Sequence, residues 1–110
     1  MRSLKLYITP AFGAAGRNTG VPWHFHGQGF LEVLHGRKTW FLHAPETRAP
    51  QFDANATTLV WVSTVLPTLG EDAGIVQCTL HAGDAIYFPS YWRHATLNLD
   101  EWNSWIASFA

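Results

Sequence analysis

Two histidines one residue apart, His24 and His26 in Pro22-Trp-His-Phe-His-Gly27, are joined much later in the chain by a third, His94. Alternate residues of an extended strand point to the same side, about 6.6 Å apart along it. One short strand can therefore aim two imidazoles at one point, and a third from a distant strand can complete a facial set. Neutral imidazole suits iron, zinc, copper and nickel. The competing reading is two polar residues on a solvent face and an unrelated histidine beside a turn. Six histidines in 110 residues leave room for such a coincidence. The strand-like, turn-punctuated setting of both segments weighs towards a metal site.

The elements that must position these residues are short. Leu4, Leu6 and Ile8 alternate with Lys5, Tyr7 and Thr9 as a half-buried strand, which Pro10 stops. Residues 11–20, rich in glycine and alanine, read as a loop, and Pro22 to His26 as a short strand broken by Gly27-Gln-Gly29. Phe30 to Leu34 and Lys38 to Leu42 read as strands joined in a tight hairpin at His35-Gly36-Arg37, with glycine where φ > 0 is needed. Residues 44–54 form a loop. Thr57 to Leu66 reads as a helical insertion despite its β-branched content, with Asn55 or Thr57 near its start. Pro67 to Gly74 is a loop. Val76 to Leu80, Ala85 to Phe88, Ala95 to Leu99 and Ser104 to Phe109 are strands, the last with Trp105, Ala107 and Phe109 on one face. Seven or more short strands with little helix predict an all-β fold, and a double-stranded β-helix (cupin or jelly-roll barrel) with one short helical insertion sets distant histidines across a narrow interior.

Composition sets the outer bounds. A chain of this length builds one domain, residues 1–110, around one core. It is 47% hydrophobic and 14% charged, which argues for a packed globule and against disorder. A formal net charge of −1 gives no electrostatic footprint for nucleic acid or an anionic membrane. The single cysteine, Cys78, excludes an intramolecular disulfide, and its alternating setting predicts a buried structural thiol. No stretch is apolar enough to span a bilayer, and the first residues lack the apolar core of a signal peptide. That leaves a cytosolic protein or a chain without its natural N-terminus.

Several blocks resemble one family. Gly83, Pro89, His94 and Asn98 fall at the spacing of the second cupin motif, with Tyr91 where many cupins have glycine. Gly36-Arg-Lys-Thr-Trp40 resembles the Gly-Arg-Lys-Arg-Trp block of JmjC (jumonji C) domains, and Asn98-Leu-Asp100 resembles their Asn-Leu-Glu/Asp ending. From Leu4 to Phe109 the chain looks like a JmjC domain of the cupin superfamily. Its His24-Phe-His26-Gly-Gln-Gly29, Thr57-Thr-Leu-Val-Trp61 and Tyr87-Phe-Pro segments resemble the jumonji-domain-containing protein 8 subgroup, whose members are lumenal in the endoplasmic reticulum and not clearly active enzymes.

The resemblance implies Fe(II) and 2-oxoglutarate as cofactors, and hydroxylation of a protein or small molecule. Carried over, His24 is the first metal ligand, His26 stands at the acidic ligand position and His94 is the distal ligand. A carboxylate neutralises one charge of a ferrous ion and an imidazole does not, so two alternatives stand beside the oxygenase. One is a catalytically weak or inactive JmjC-like domain that contacts proteins. The other is a three-histidine cupin dioxygenase that needs no 2-oxoglutarate. A histone demethylase fits poorly, since no zinc-finger cysteines or basic patch accompany the core. Lys38 aligns with the lysine that pairs the distal carboxylate of 2-oxoglutarate; its alternative is a snorkelling side chain at a strand end. Val21 replaces the usual co-substrate hydroxyl. Glu32 reads as an exposed strand residue rather than a fourth ligand.

His35, His43 and His81 read as surface or turn residues, Asp84 as a cap on local amides, and Asp100 and Glu101 as solvated. Packing is the expected role of Tyr87 and Trp92. Asn55-Ala-Thr57 is a glycosylation sequon that gains weight only in a lumenal protein.

Overall fold

The computed structural model describes residues 9–45, 53 and 55–109. Seven strands and one helix follow in the order β1 (Thr9–Ala15), β2 (Gly29–His35), β3 (Arg37–His43), α1 (Thr58–Thr64), β4 (Val76–His81), β5 (Ala85–Phe88), β6 (Arg93–Asn98) and β7 (Asn103–Phe109). Two 3₁₀ turns, Leu66–Thr68 and Glu71–Ala73, occupy the stretch expected to be loop. The strands form two antiparallel sheets, β1-β7-β2-β5 and β4-β3-β6. The all-β double-stranded β-helix with one short helical insertion is therefore the observed fold class.

Period-2 alternation sets what each sheet turns inward. Leu31 and Val33 of β2, Trp40 and Leu42 of β3, Leu80, Phe88 and Ala107 form the buried core between the sheets. The other face of the β4-β3-β6 sheet is covered too. Phe41, Ala95 and Leu97 pack with Trp23 and with Trp61 of α1 into a second buried cluster. This explains why all of β3 after Arg37 is buried: each of its faces meets a core. Thr57 caps α1, its hydroxyl accepting from the Val60 N–H at 3.2 Å.

Several local expectations are corrected. Residues 11–15 are not loop, and Pro10 does not end a strand. They continue β1, which pairs with β7 from Thr9 opposite Phe109 to Ala15 opposite Asn103. Small side chains and glycine disguised this edge strand, where a proline is tolerated. Leu4 to Ile8 and most of residues 44–54 lie outside the described residues. Gly36 does not close a hairpin, because β2 and β3 lie in different sheets. It turns the corner between them at φ 82°, where a Cβ would meet the Asn103 side chain. Cys78 is exposed rather than buried. It lies on β4, a sheet edge, which periodicity cannot reveal.

Candidate metal centre

The segment 19–26 lies antiparallel to β6 but is not the regular strand expected. Only His24 opposite His94 forms a ladder bridge. Backbone bonds run from Asn98 N to Thr19 O (2.8 Å), Thr96 N to Val21 O (3.0 Å) and His94 N to His24 O (2.9 Å). Two steps along β6, from Thr96 to His94, thus match three along the partner, from Val21 to His24. The extra residue falls at Pro22-Trp23, where proline has no N–H to give the ladder. Trp23 turns to the second cluster, while His24 and His26 turn to the interior. A Cβ at Gly20 would run into the Thr96 carbonyl, so glycine permits the segment to lie this close. Thr58 ties α1 to the same segment, donating to Val21 O at 2.9 Å.

His24, His26 and His94 converge. One ring nitrogen from each lies within 4.8 Å of the others. Ring centroids are 4.1 Å apart for His24 and His94, 4.8 Å for His26 and His94, and 5.3 Å for His24 and His26. In all three rings Nδ1 faces a backbone carbonyl: His24 to Pro22 O at 2.6 Å, His26 to Gly27 O at 2.8 Å, His94 to Trp92 O at 2.9 Å. A carbonyl only accepts, so each Nδ1 carries the proton and each Nε2 keeps its lone pair. This is how metal-ligating imidazoles are held. Burial pushes the His94 pKa down to about 4, with the neighbouring His24 and His26 adding to the effect against its bond to Trp92. Burial likewise lowers His24. His24 and His94 are therefore neutral at physiological pH, the form that binds a divalent first-row ion, and the three-imidazole donor set fits one.

Aromatic rings hold this cluster in place. Trp40 stacks on His94 at 5.3 Å and 27°, and Phe88 lies 4.5 Å from it. His26 meets Phe109 edge-on at 5.0 Å. The rings border a cavity of about 90 Å³ that Lys38, Thr96 and Trp105 also line. Lys38 is 2% exposed, so the snorkelling alternative does not hold. Its ammonium donates to Asn98 Oδ1 at 3.0 Å and sits 3.5 Å over the Trp105 ring. Burial pushes its pKa down to about 8.

Val21 carries no hydroxyl, but Thr96 brings one to the same cavity, its Oγ1 accepting from Val21 N at 3.1 Å. Sequence reasoning missed Thr96, Trp40 and Trp105. The signal was available for two of them: Thr96 is two residues after His94, and Trp40 two after Lys38, so each shares a face with a residue already singled out. Glu32 lies outside the histidine group, on the opposite face of β2 from Leu31 and Val33. His43 is a correction: it is fully buried, with Arg93 Nη1 at 2.8 Å from its Nδ1. Its place on doubly covered β3 outweighs its nearness to a turn. Asp100 is not merely solvated, since Arg37 pairs with it at 2.8 Å and holds its carboxyl below the usual range. Tyr87 is exposed and donates to Gln28 Oε1 at 2.9 Å, whereas Trp92 packs on the inter-sheet core. Asp84 Oδ2 accepts from the His81 amide at 2.9 Å, as expected.

Comparison with known proteins gives this geometry a context. Residues 1–109 match the JmjC domain family. The chain is 54% identical over 97 residues to JmjC domain-containing protein 8 of Rattus norvegicus, covering 86% of this chain and 36% of that protein. It is 51% identical over 90 residues to JmjC domain-containing protein 8 of Homo sapiens, covering 82% and 34%. The chain thus spans about a third of the length of these relatives. It is 30% identical over 97 residues to Lysine-specific demethylase JMJ21 of Arabidopsis thaliana, 74% of this chain and 10% of that protein. Two solved structures share the fold at low identity. The crystal structure of Drosophila melanogaster CENP-C bound to CAL1 superposes with a TM-score of 0.62 at 12% identity, over 89% of this chain and 58% of that one. RmlC from Streptococcus suis in complex with dTDP-D-xylose gives 0.54 at 11%, over 94% and 44%. The chain belongs to the JmjC domain family.

Proposed function

We propose that this domain holds a divalent first-row metal, iron(II) by family likeness, on His24, His26 and His94, and is an Fe(II)/2-oxoglutarate oxygenase-type domain of low turnover. The supporting observation is the set of three Nδ1–H bonds to backbone carbonyls, which leaves each Nε2 as the available donor in a group whose ring nitrogens lie within 4.8 Å of one another. Three protein ligands leave positions open for a co-substrate. Iron(II) with 2-oxoglutarate would supply oxygen activation for hydroxylating a protein or small molecule. This chain's residues would do the rest: Lys38 would pair a distal carboxylate, Thr96 would offer a hydroxyl, and the ring of Trp40, Phe88 and Phe109 would exclude water.

Low turnover follows from His26 and from size. An imidazole at the acidic position leaves one more positive charge on the ion, which disfavours its oxidised state. A cavity of about 90 Å³ has room for only about three waters' volume. A second reading, a protein-contacting domain, is favoured by the outer face of the four-stranded sheet. There Phe12, Ile106, Phe30 and Tyr87 are exposed on neighbouring strands, Phe12 opposite Ile106 and Phe30 opposite Tyr87. The lumenal location that subgroup likeness suggests would make exposed Asn55 a glycan acceptor.

The test is metal content and succinate release with Fe(II), O₂ and 2-oxoglutarate for the wild type, His26→Asp and His94→Ala. Metal retained by the wild type and lost in His94→Ala, with turnover rising in His26→Asp, supports the proposal. Robust wild-type turnover abolished by His94→Ala would make the domain a full oxygenase. Loss of metal from all three proteins would favour the protein-contacting reading.

A further inference from the structure

A buried polar atom without a partner asks for an explanation, and a ligand is one. Among the described residues, the indole N–H groups of Trp40 and Trp61 are buried and reach no hydrogen-bond acceptor. Trp61 has a substitute. It meets Trp23 at 76° and Phe41 at 67°, edge-to-face arrangements in which a ring face can take an N–H. Trp40 has no such neighbour. Phe88 and His94 lie at 35° and 27° to its plane, so they cover its faces and leave its edge alone. The Nε2 lone pair of His94 lies in the plane of its own ring and does not take the N–H of an indole stacked on that ring.

The register shows where this donor stands. Lys38 is opposite Asn98, Trp40 opposite Thr96 and Leu42 opposite His94. These rungs follow one another at about 7 Å along the strands. Trp40 and Thr96 thus form the middle rung, between the buried ammonium and the histidines, and both line the histidine cavity. Thr96 Oγ1 accepts from Val21 N and takes nothing from Trp40. A buried donor that makes no bond carries its whole desolvation cost, and a phenylalanine would fill the core without it.

We propose that Trp40 is a ligand-binding residue, its indole N–H kept for an acceptor atom of a small molecule held beside the histidines. An indole N–H donates, never accepts and carries no charge. It therefore selects an oxygen or nitrogen lone pair and rejects a hydrocarbon or a cation. This role is distinct from pairing a distal carboxylate at Lys38, one rung away. The inference rests on the metal centre proposed above and adds a residue to it.

The experiment uses the full chain loaded with Co(II) or Zn(II), its metal content measured first, and azide as the ligand. Azide is small, binds first-row ions and carries lone pairs at both ends. Its affinity for the Co(II) protein is read from visible absorption in the wild type and in Trp40→Phe. A third protein carries benzothienylalanine at position 40, which keeps the shape of the indole with sulfur in place of N–H. If Trp40→Phe does not fold, this isostere carries the test. Both variants should hold as much Co(II) as the wild type. Both should bind azide roughly three- to ten-fold more weakly, the worth of one neutral hydrogen bond. In the Zn(II) protein labelled with ¹⁵N-tryptophan, the indole signal absent from the isostere should move downfield as azide is added. Equal azide affinity in wild type and isostere would overturn the role of Trp40 and leave the metal centre standing. So would a Trp40 signal that stays in place while azide binds, or a metal-loaded wild type that binds no azide. A wild type that takes up no metal would overturn both readings.

Discussion

Lys38 concentrates the cost of function in one side chain. Its pKa falls from 10.5 to about 8 because burial penalises the charged form. Between those values the unfolded chain binds more protons than the folded one, so folding stability rises with pH across that window. Below it the buried charge is carried at its full cost, on the order of 3 kcal/mol at most. Wild type should therefore gain stability relative to Lys38→Met as pH rises from 7.5 to 9.5, measured by urea unfolding at each pH. A constant difference would mean that Lys38 is not carried as a buried cation. His94 acts at the other end of the scale. Its folded pKa near 4 lies below the ordinary 6.5, so the metal-free protein should lose stability as pH falls through that interval, and His94→Ala should lose less.

At the level of elements, the corner at Gly36 joins the two sheets and positions Lys38 two residues later. A side chain there faces an unfavourable left-handed φ and the Asn103 side chain, whose Oδ1 accepts from Arg37 N and whose Nδ2 donates to Ala15 O and Asp100 O. Gly36→Ala should destabilise the fold by about 2 kcal/mol or more, read as a lower denaturant midpoint at unchanged slope. Much of this layer was legible in the sequence. Period-2 patterns located β2 to β7 within a residue or two, and the helix emerged from Thr57 onward. What alternation cannot carry is partnership. It marked β2 and β3 as neighbours in the chain but not as members of separate sheets. It missed β1, whose small residues hold no hydrophobic pattern, and gave no warning of the irregular step at Pro22-Trp23 that aims the histidines. The family blocks located the three histidines, but their ring tautomers depend on carbonyls that only the folded chain brings near.

Over the whole molecule, the candidate centre joins parts of the chain that are far apart. His24 and His26 come from an irregular segment held to β6 by few bonds, and His94 from β6 itself. An ion bridging them would bind the folded state and not the unfolded one. At a free concentration of 100 times its Kd it would add about 2.7 kcal/mol, a rise in melting temperature on the order of 10 °C for a domain of this size. Scanning calorimetry with Fe(II), Zn(II) or chelator should show that rise in the wild type and none in His94→Ala. An equal rise in both would place the ion elsewhere.

The exposure of Cys78 has a practical consequence. It is the only thiol in the sequence, it is open to solvent, and it sits directly across the ladder from Trp40, whose indole stacks on His94. A nitroxide or fluorophore attached there needs no engineered cysteine and no removal of others. It would ride on a strand next to the one that supports the histidines, near enough for a paramagnetic occupant to broaden its signal. The residue that the sequence pattern assigned to the interior thus gives the protein a built-in attachment point from which the centre can be watched as it fills.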